Sequence, residues 1–431
     1  MRLYLDRLAN MYTTTFTFAA VVCVLLLVSI VVRTVLASRQ IRHVARHRHA
    51  VPMAFASTIS LPAHRKAADY TIAKIRLAQL ETVIEAAILL GWTWLGGLHA
   101  LNQMLLDWLG GGLLQQLVLV TAFAVISRLL ALPLDWWTSF RLEERFGFNK
   151  MGIGLWLGDM AKSALLGVLI GLPLLALLLW LMEAAGPRWW LWAWGVWMAF
   201  NLLLLLIYPT LIAPLFNAFQ PLQDENLKAR VNALMQRCGF AAKDLLVMDG
   251  SKRSAHANAY FTGFGAAKRV VFFDTLLQQL SPPEIEAVLA HELGHYKRRH
   301  ILQRVGLMFA LSFAGFALLG WVANQVWFYI GLGVMPSLDA PNHALALLLF
   351  LLVVPLLTYF LSPLMAQFSR RHEFEADAYA VAHTDGKDLA SALLKLYQDN
   401  ASTLTPDPLY ARFYYSHPPA SERLARLHAT A

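Results

Sequence analysis

Apolar residues in this 431-residue chain are gathered into long blocks rather than spread at short regular intervals. Between Arg7 and Arg33 there is no charged side chain, so residues 11–32 are long enough to cross a bilayer, for which about 20 apolar residues suffice. The block is too long for a removable signal peptide and lacks the small-residue cleavage site of one. Further blocks at 82–101, 113–132, 164–182, 189–211, 305–330 and 343–368 give an expectation of seven spanning helices. The second block carries Glu81 and Glu85 at its start and Gly96, Gly97 and His99 at its end. Trp189, Trp190, Trp192 and Trp194 open the fifth, where an interfacial aromatic belt is expected. Polar character is confined mainly to 213–304 and 369–431. In the first of these the pattern predicts a helix at about 224–238 and three short strands at 245–248, 257–262 and Arg269–Phe273. No internal repeat or low-complexity segment is visible.

Composition supports the membrane reading: 58% of residues are hydrophobic and 15% charged, against about 45–50% and about 25% in soluble domains. Two cysteines, Cys23 and Cys238, are too few for a disulfide framework or a cysteine-rich metal centre, so a metal would be held by His, Asp or Glu. The formal charge of +9 does not point to nucleic acid, because the basic residues flank apolar blocks instead of forming one patch. They follow the positive-inside rule. With the N-terminus outward, 33 of the 36 Lys and Arg fall on inward segments, leaving Arg2, Arg7 and Arg188 outside. Arg33, Arg39, Arg42, Arg46 and Arg48 orient the first helix. Both polar regions, and the C-terminus, are then expected on the cytoplasmic side of a bacterial inner membrane or an endoplasmic reticulum-type membrane.

The sharpest chemical signal is HELGH at 291–295. It follows SPPE at 281–284, which begins like a capped helix, with Ser281 as N-cap, proline in the first turn and Glu284 three residues on. On such a helix positions 291 and 295 lie about 40° apart, so both imidazoles can reach one Zn²⁺ while Glu292 stands beside it to take a proton from water. A catalytic zinc with two histidines needs a third protein ligand and one open position. The candidate lies in SRRHEFEADAY at 369–379. If this segment is helical, Glu373 and Asp377 share a face, while Glu375 is about 200° round from Glu373 and points elsewhere. Glu373 is therefore assigned to the metal, and Asp377 is placed to accept the second ring N–H of a ligand histidine. Asn258, Ala259 and Tyr260 form a candidate edge strand for holding an extended peptide by strand addition.

These motifs, together with LPL at 132–134, EERFGFNK at 143–150, YPTLIAPLFN at 208–217, NAYFTG at 258–263 and SHPP at 416–419 followed by Glu422 and Arg423, resemble those of the integral-membrane zinc endopeptidases of the CAAX prenyl protease 1 family over nearly the whole chain. The resemblance implies a mainly α-helical polytopic protein, with seven transmembrane helices around a large chamber and a zincin-like α+β catalytic domain at the inner end. The domain division expected is a membrane domain at 1–212 with five spans, then a metallopeptidase domain at 213–431. The latter comprises a soluble part at 213–304, spans at 305–330 and 343–368, and a C-terminal soluble part at 369–431. Carried over by motif, His291, His295 and Glu373 are the ligands of one zinc per chain and Glu292 is the base. Asp377 stands beside the metal as orienter or proton donor, His417 steadies the oxyanion, and Arg423 lies nearby. Family members remove the C-terminal tripeptide of prenylated CAAX proteins, and some clear stalled membrane proteins; the partners expected are a peptide or protein substrate, lipid-modified or not, and the bilayer. A non-enzymatic channel or scaffold is the contrasting class, and it would have no need of Glu292.

Overall fold

The computed structural model describes residues 2–241, 243–262 and 268–430, with side chains described from 9 to 427. Gly263 of the NAYFTG motif lies outside these residues, as do the side chains of Arg2 and Arg7. Each expected apolar block is mainly helical, but the block at 305–330 outruns its helix, which ends at Val322, and its last residues lie in a separate short helix, Val326–Gly331. Helix α1 (Arg2–His47) has 46 residues, about 69 Å at 1.5 Å per residue, against a hydrocarbon core about 30 Å thick. Nothing in its basic second half breaks a helix before Pro52. Helix α2 (Leu61–Trp92), N-capped by Ser60, is followed after a break by α3 (Gly97–Leu109), bent 43° from it. The second expected block thus straddles a break, made where Gly96 adopts φ 83°, a conformation open mainly to glycine.

Helices α4 (Leu113–Glu143), α5 (Ile153–Ala184) and α6 (Gly186–Phe216) are long enough to cross a membrane, as is α9 (His300–Val322) farther along the chain. Helix α10 (His343–Tyr359) continues, after a 63° bend, into α11 (Ser362–His383). In α4, α5 and α6 the α-turns widen to π-turns at Thr138–Glu143, Gly167–Gly171 and Tyr208–Ile212. Each lies within a few residues of Pro133, Pro173 or Pro209, where the missing N–H and the ring disturb the ladder.

In the five unbroken spans, 6–17% of the most apolar 18-residue window is buried. The spans therefore do not fill a common core. They converge at the end farthest from the polar segments, where Val22, Trp92, Leu119, Leu179, Trp189, Leu319, Leu332 and Leu349 form one packed cluster. Three of the four tryptophans expected at the interface are engaged with the protein itself. Trp189 is buried in that cluster, Trp190 lies against Gly320 and Phe313, and Trp194 donates to Ser312 Oγ at 3.2 Å. Only Trp192 of the four is well exposed. Gly320 leaves no space for a larger residue, since a Cβ there would come within 2.7 Å of the Trp190 ring.

At the opposite end lies the α+β core. Strands β1 (Phe219–Pro221), β2 (Asp244–Met248), β3 (Ala259–Thr262) and β4 (Arg269–Phe273) form a sheet of order β1-β2-β4-β3, with β2 and β4 parallel and the outer pairs antiparallel. The three-strand expectation thus lacks β1, whose three residues carry no alternating pattern. β4 is internal, and Val270, Val271 and Phe272 are buried on both its faces, whereas β3 is an edge. The expected helix at 224–238 is α7 (Glu225–Arg237), N-capped by Asp224. Helix α8 (Pro282–Lys297) packs between the sheet and α11, with Leu289, Ala290 and Leu293 in the core. Helices α12 (Gly386–Asp399) and α13 (Ala420–Thr430) complete this end.

The EERFGFNK segment ties the membrane helices to the α+β core. Tyr70 of α2 donates to Glu143 at 2.6 Å, Ala255 N–H donates to the Phe148 carbonyl at 3.1 Å, and the His256 ring stacks on Phe148 at 4.5 Å. Strand β3 begins three residues after His256.

Candidate active site

Helices α8 and α11 cross so closely that a Cβ at Gly294 would lie 2.9 Å from the Ala376 Cα and 3.1 Å from its carbonyl oxygen. These are backbone atoms that no rotamer change can move. The glycine at the fourth position of HELGH therefore has a packing reason that spacing arguments did not supply. The capped start of α8 forms as expected. The Glu284 carboxylate accepts from the Ser281 N–H at 2.7 Å, and also from Ser391 at 2.6 Å and Lys395 at 2.7 Å. Burial alone would raise the Glu284 carboxyl, but these donors outweigh it and hold it down to about 2.

The crossing brings His291, His295 and Glu373 together, with one candidate ligand atom from each lying within 4.8 Å of the others. The Nε2 atoms of His291 and His295 face each other at 3.3 Å and lie 3.5 and 3.4 Å from the Glu373 oxygens. Glu373 is 2% exposed and its Oε2 has no hydrogen-bond partner. A buried carboxylate oxygen without a donor, beside two imidazole nitrogens aimed at the same point, is an arrangement a divalent cation satisfies. Neutral nitrogen and carboxylate donors with no thiolate suit zinc among such ions.

Asp377, one turn on from Glu373, accepts from His291 Nδ1 at 2.9 Å. Its carboxylate also receives a two-pronged contact from the Arg423 guanidinium, with Nε at 2.9 Å. Arg423 itself is buried, and its Nη1 lies 3.8 Å from Glu373. Glu292 lines the same small cavity, and burial pushes its carboxyl above the ordinary value. His417 stands in the loop before α13, with Nε2 3.4 Å from Glu373 Oε1.

The cavity of about 140 Å³ that holds His291, Glu292, Glu373, His417 and Arg423 is also lined by Asn258 and Ala259. Tyr260 is different. Side chains alternate along a strand, and that of Tyr260 lines a separate small cavity with Pro209, Pro214 and Val271. A larger cavity of about 800 Å³, bounded by Tyr70, Lys74, Tyr397, Tyr414 and Ser416, meets the first at His417 and Arg423.

Glu375 does turn away from the metal-site group, but it is not idle. Its Oε2 lies 3.1 Å from His300 Nε2, and His300 Nδ1 lies 2.9 Å from His295 Nδ1. His300 carried no sequence signal, because it stands five residues after His295 and beyond the end of α8.

Two family models match the chain: the CAAX prenyl protease N-terminal family, characterised by five membrane helices, over 40–218, and peptidase family M48 over 221–431. The CAAX prenyl protease 1 homolog of Oryza sativa subsp. japonica is 36% identical over 360 residues, 81% of each chain. CAAX prenyl protease 1 of Saccharomyces cerevisiae is 38% identical over 326 residues, 73% of this chain and 72% of the yeast protein. The Homo sapiens homolog is 33% identical over 73% of each chain. The chain belongs to peptidase family M48. The crystal structure of S. mikatae Ste24p superposes with a TM-score of 0.89 at 32% identity, over 95% of this chain and 99% of that one. As an M48 member of this architecture, the chain is a multi-pass membrane metalloendopeptidase, a hydrolase of peptide bonds in a peptide or protein substrate.

Proposed function

We propose that the protein is a zinc endopeptidase that releases the C-terminal tripeptide of prenylated CAAX proteins at the cytoplasmic face of its membrane. The observation that carries this reading is one cavity holding His291, Glu292, Glu373 and His417 beside the edge residues Asn258 and Ala259. His291, His295 and Glu373 would hold one zinc per chain. When bound, zinc supplies Lewis-acid polarisation of the scissile carbonyl and of the attacking water.

The remaining chemistry belongs to side chains. Glu292, its carboxyl raised by burial, takes the proton of the attacking water and passes it to the leaving amide nitrogen. His417 donates to the oxyanion. Asp377 accepts the His291 Nδ1–H and leaves the Nε2 lone pair for the metal, while Arg423 fixes Asp377 from its other side. This favours Asp377 as an orienter over a proton donor, since its carboxylate is already occupied by two donors. The backbone of β3 pairs with the substrate backbone at the free sheet edge.

A lipid-modified substrate is favoured by a groove of about 650 Å³ walled by Leu311, Phe350, Leu357, Met365 and Phe413, which reaches Ser416 beside His417. The relatives' name, CAAX prenyl protease 1, agrees with it. The test offers the purified protein matched CAAX peptides with and without a farnesyl group, alongside unmodified membrane-protein segments. Tripeptide release from the farnesylated peptide alone supports the proposal. Equal cleavage of unmodified membrane segments would replace it with a quality-control role. For orientation, a cysteine placed at Asp385 should react with an impermeant reagent only in inverted or opened vesicles; labelling in intact cells would overturn the cytoplasmic placement.

A further inference from the structure

We propose that His300 and Glu375 form a positioning relay that sets the tautomer and ring orientation of His295, as Asp377 does for His291. The inference rests on the reading of His295 as a metal ligand. His295 Nε2 faces His291 and Glu373, so if its lone pair is to serve a metal the ring proton must sit on Nδ1. That nitrogen lies 2.9 Å from His300 Nδ1. His295 must then donate, His300 must accept on Nδ1 and carry its own proton on Nε2, and that N–H points at Glu375 Oε2 3.1 Å away. Each ring is left with one consistent tautomer, and the chain of donors ends on a carboxylate whose other oxygen accepts from Arg371 Nε at 2.9 Å.

Three further features fix His300 in this place. In an uninterrupted helix it would lie about 140° round from His295. Arg299 breaks α8 from α9 with φ 59° and ψ 30°, a left-handed conformation disfavoured for a residue with a Cβ, and this turn returns the His300 ring to His295. The ring is 1% exposed and stacked on His372 at 3.9 Å with 6° between planes. His372 is in turn held by Gln303 at 3.0 Å and by the edge of Phe368. Helix α11 therefore addresses the site three times: directly through Glu373, through Asp377 to His291, and through Glu375 and His300 to His295. Because Glu375 points away from the metal group, a carboxylate there reaches a ligand ring only across an interposed imidazole.

The experiment uses the full-length protein in detergent, measuring zinc affinity by chelator competition and the visible spectrum of the cobalt-substituted form. His300→Phe keeps a flat ring but loses both nitrogens; it should weaken zinc binding by about 10 to 100-fold and change the cobalt spectrum. His300→Asn, whose side-chain oxygen can take the place of Nδ1 as acceptor, should recover most of both. Glu375→Gln should shift affinity in the same direction by less, while Glu225→Gln, an exposed carboxylate on α7, should do nothing. If His300→Phe does not fold, wild-type affinity and spectrum in Glu375→Leu, which leaves His300 Nε2 without its acceptor, would still sink the relay. Wild-type affinity in a folded His300→Phe protein would sink it too. Failure of the ligand reading itself would look different: His291→Ala, His295→Ala protein would bind zinc as tightly as the wild type.

Discussion

The two ends of this molecule are built on different principles. At the catalytic end α8 lies between the sheet and α11, with Leu289, Ala290 and Leu293 fully enclosed and Gly294 allowing backbone contact. In the spans most apolar side chains are not covered by protein, with 6–17% of each unbroken span's apolar window buried. A metal site needs ligand atoms held to fractions of an ångström, and only the packed end has the contacts to do this. The spans pack mainly at their far end, in the cluster that includes Trp189, Leu319 and Leu349.

The largest effect should come from the chemistry seated on the packed end. Glu292→Gln removes the base but no ligand, so peptide cleavage should fall by about 10² to 10⁴-fold while zinc content stays at one equivalent per chain. Near wild-type turnover, or loss of the metal, would mean that Glu292 is not the base. Next is the orientation of a ligand. Asp377→Asn keeps the shape but trades a carboxylate for an amide between His291 and Arg423, and metal affinity or activity should drop by about 10 to 100-fold. Glu225→Gln serves as the charge control here; Glu375, with its contact to His300, does not. Equal losses in both variants would make the Asp377 effect one of long-range charge.

Much of this was legible in the sequence because the signals are periodic. Six of the seven apolar blocks coincide with a helix or bent helix pair, since a bilayer demands a long apolar stretch whatever the tertiary packing, while the block at 305–330 outruns its helix, which ends at Val322. The pairing of Glu373 with Asp377 at one turn's spacing and the HELGH spacing survive because helical phase alone fixes them. The features that escaped depend on contacts between distant segments. β1 is three residues long and is defined by its pairing with β2. Trp190 and Trp194 look like lipid anchors until α9 is set against them. His300 acquires its contact through a single left-handed residue, Arg299, which nothing in the local sequence announces.

A smaller effect, and one tied to pH, should come from the cap of α8. Glu284 is held down to about 2 by Lys395, Ser391 and Ser281, whereas an unfolded glutamate titrates near about 4.3. A carboxyl depressed in the folded state stabilises fully above its unfolded value, and that contribution fades as pH falls from there through the folded value. Glu284→Gln should cost about 1 to 2 kcal/mol at neutral pH. The gap in melting temperature from wild type should narrow as pH falls from about 5 to about 2. A gap independent of pH would show that the ionised carboxylate is not its source.

The smallest effect should be found in the spans. Leu206 on α6 is 56% exposed, whereas Leu293 on α8 is fully buried. Leu293→Ala leaves a hole among Leu289, Ala290 and the sheet, and should cost about 2 to 5 kcal/mol. Leu206→Ala leaves a notch that lipid or water fills, because lipid tails are as apolar as the side chain removed, so the change should stay within about 0.5 kcal/mol. The pair is the same substitution on the same residue type, in helices of one chain, which cancels the intrinsic helix preference of leucine and alanine and leaves packing as the difference. Melting curves in one detergent would measure both. A loss at Leu206 comparable to that at Leu293 would mean that α6 is packed against a further surface, and the view of the spans as loosely packed against the rest of the protein would fail.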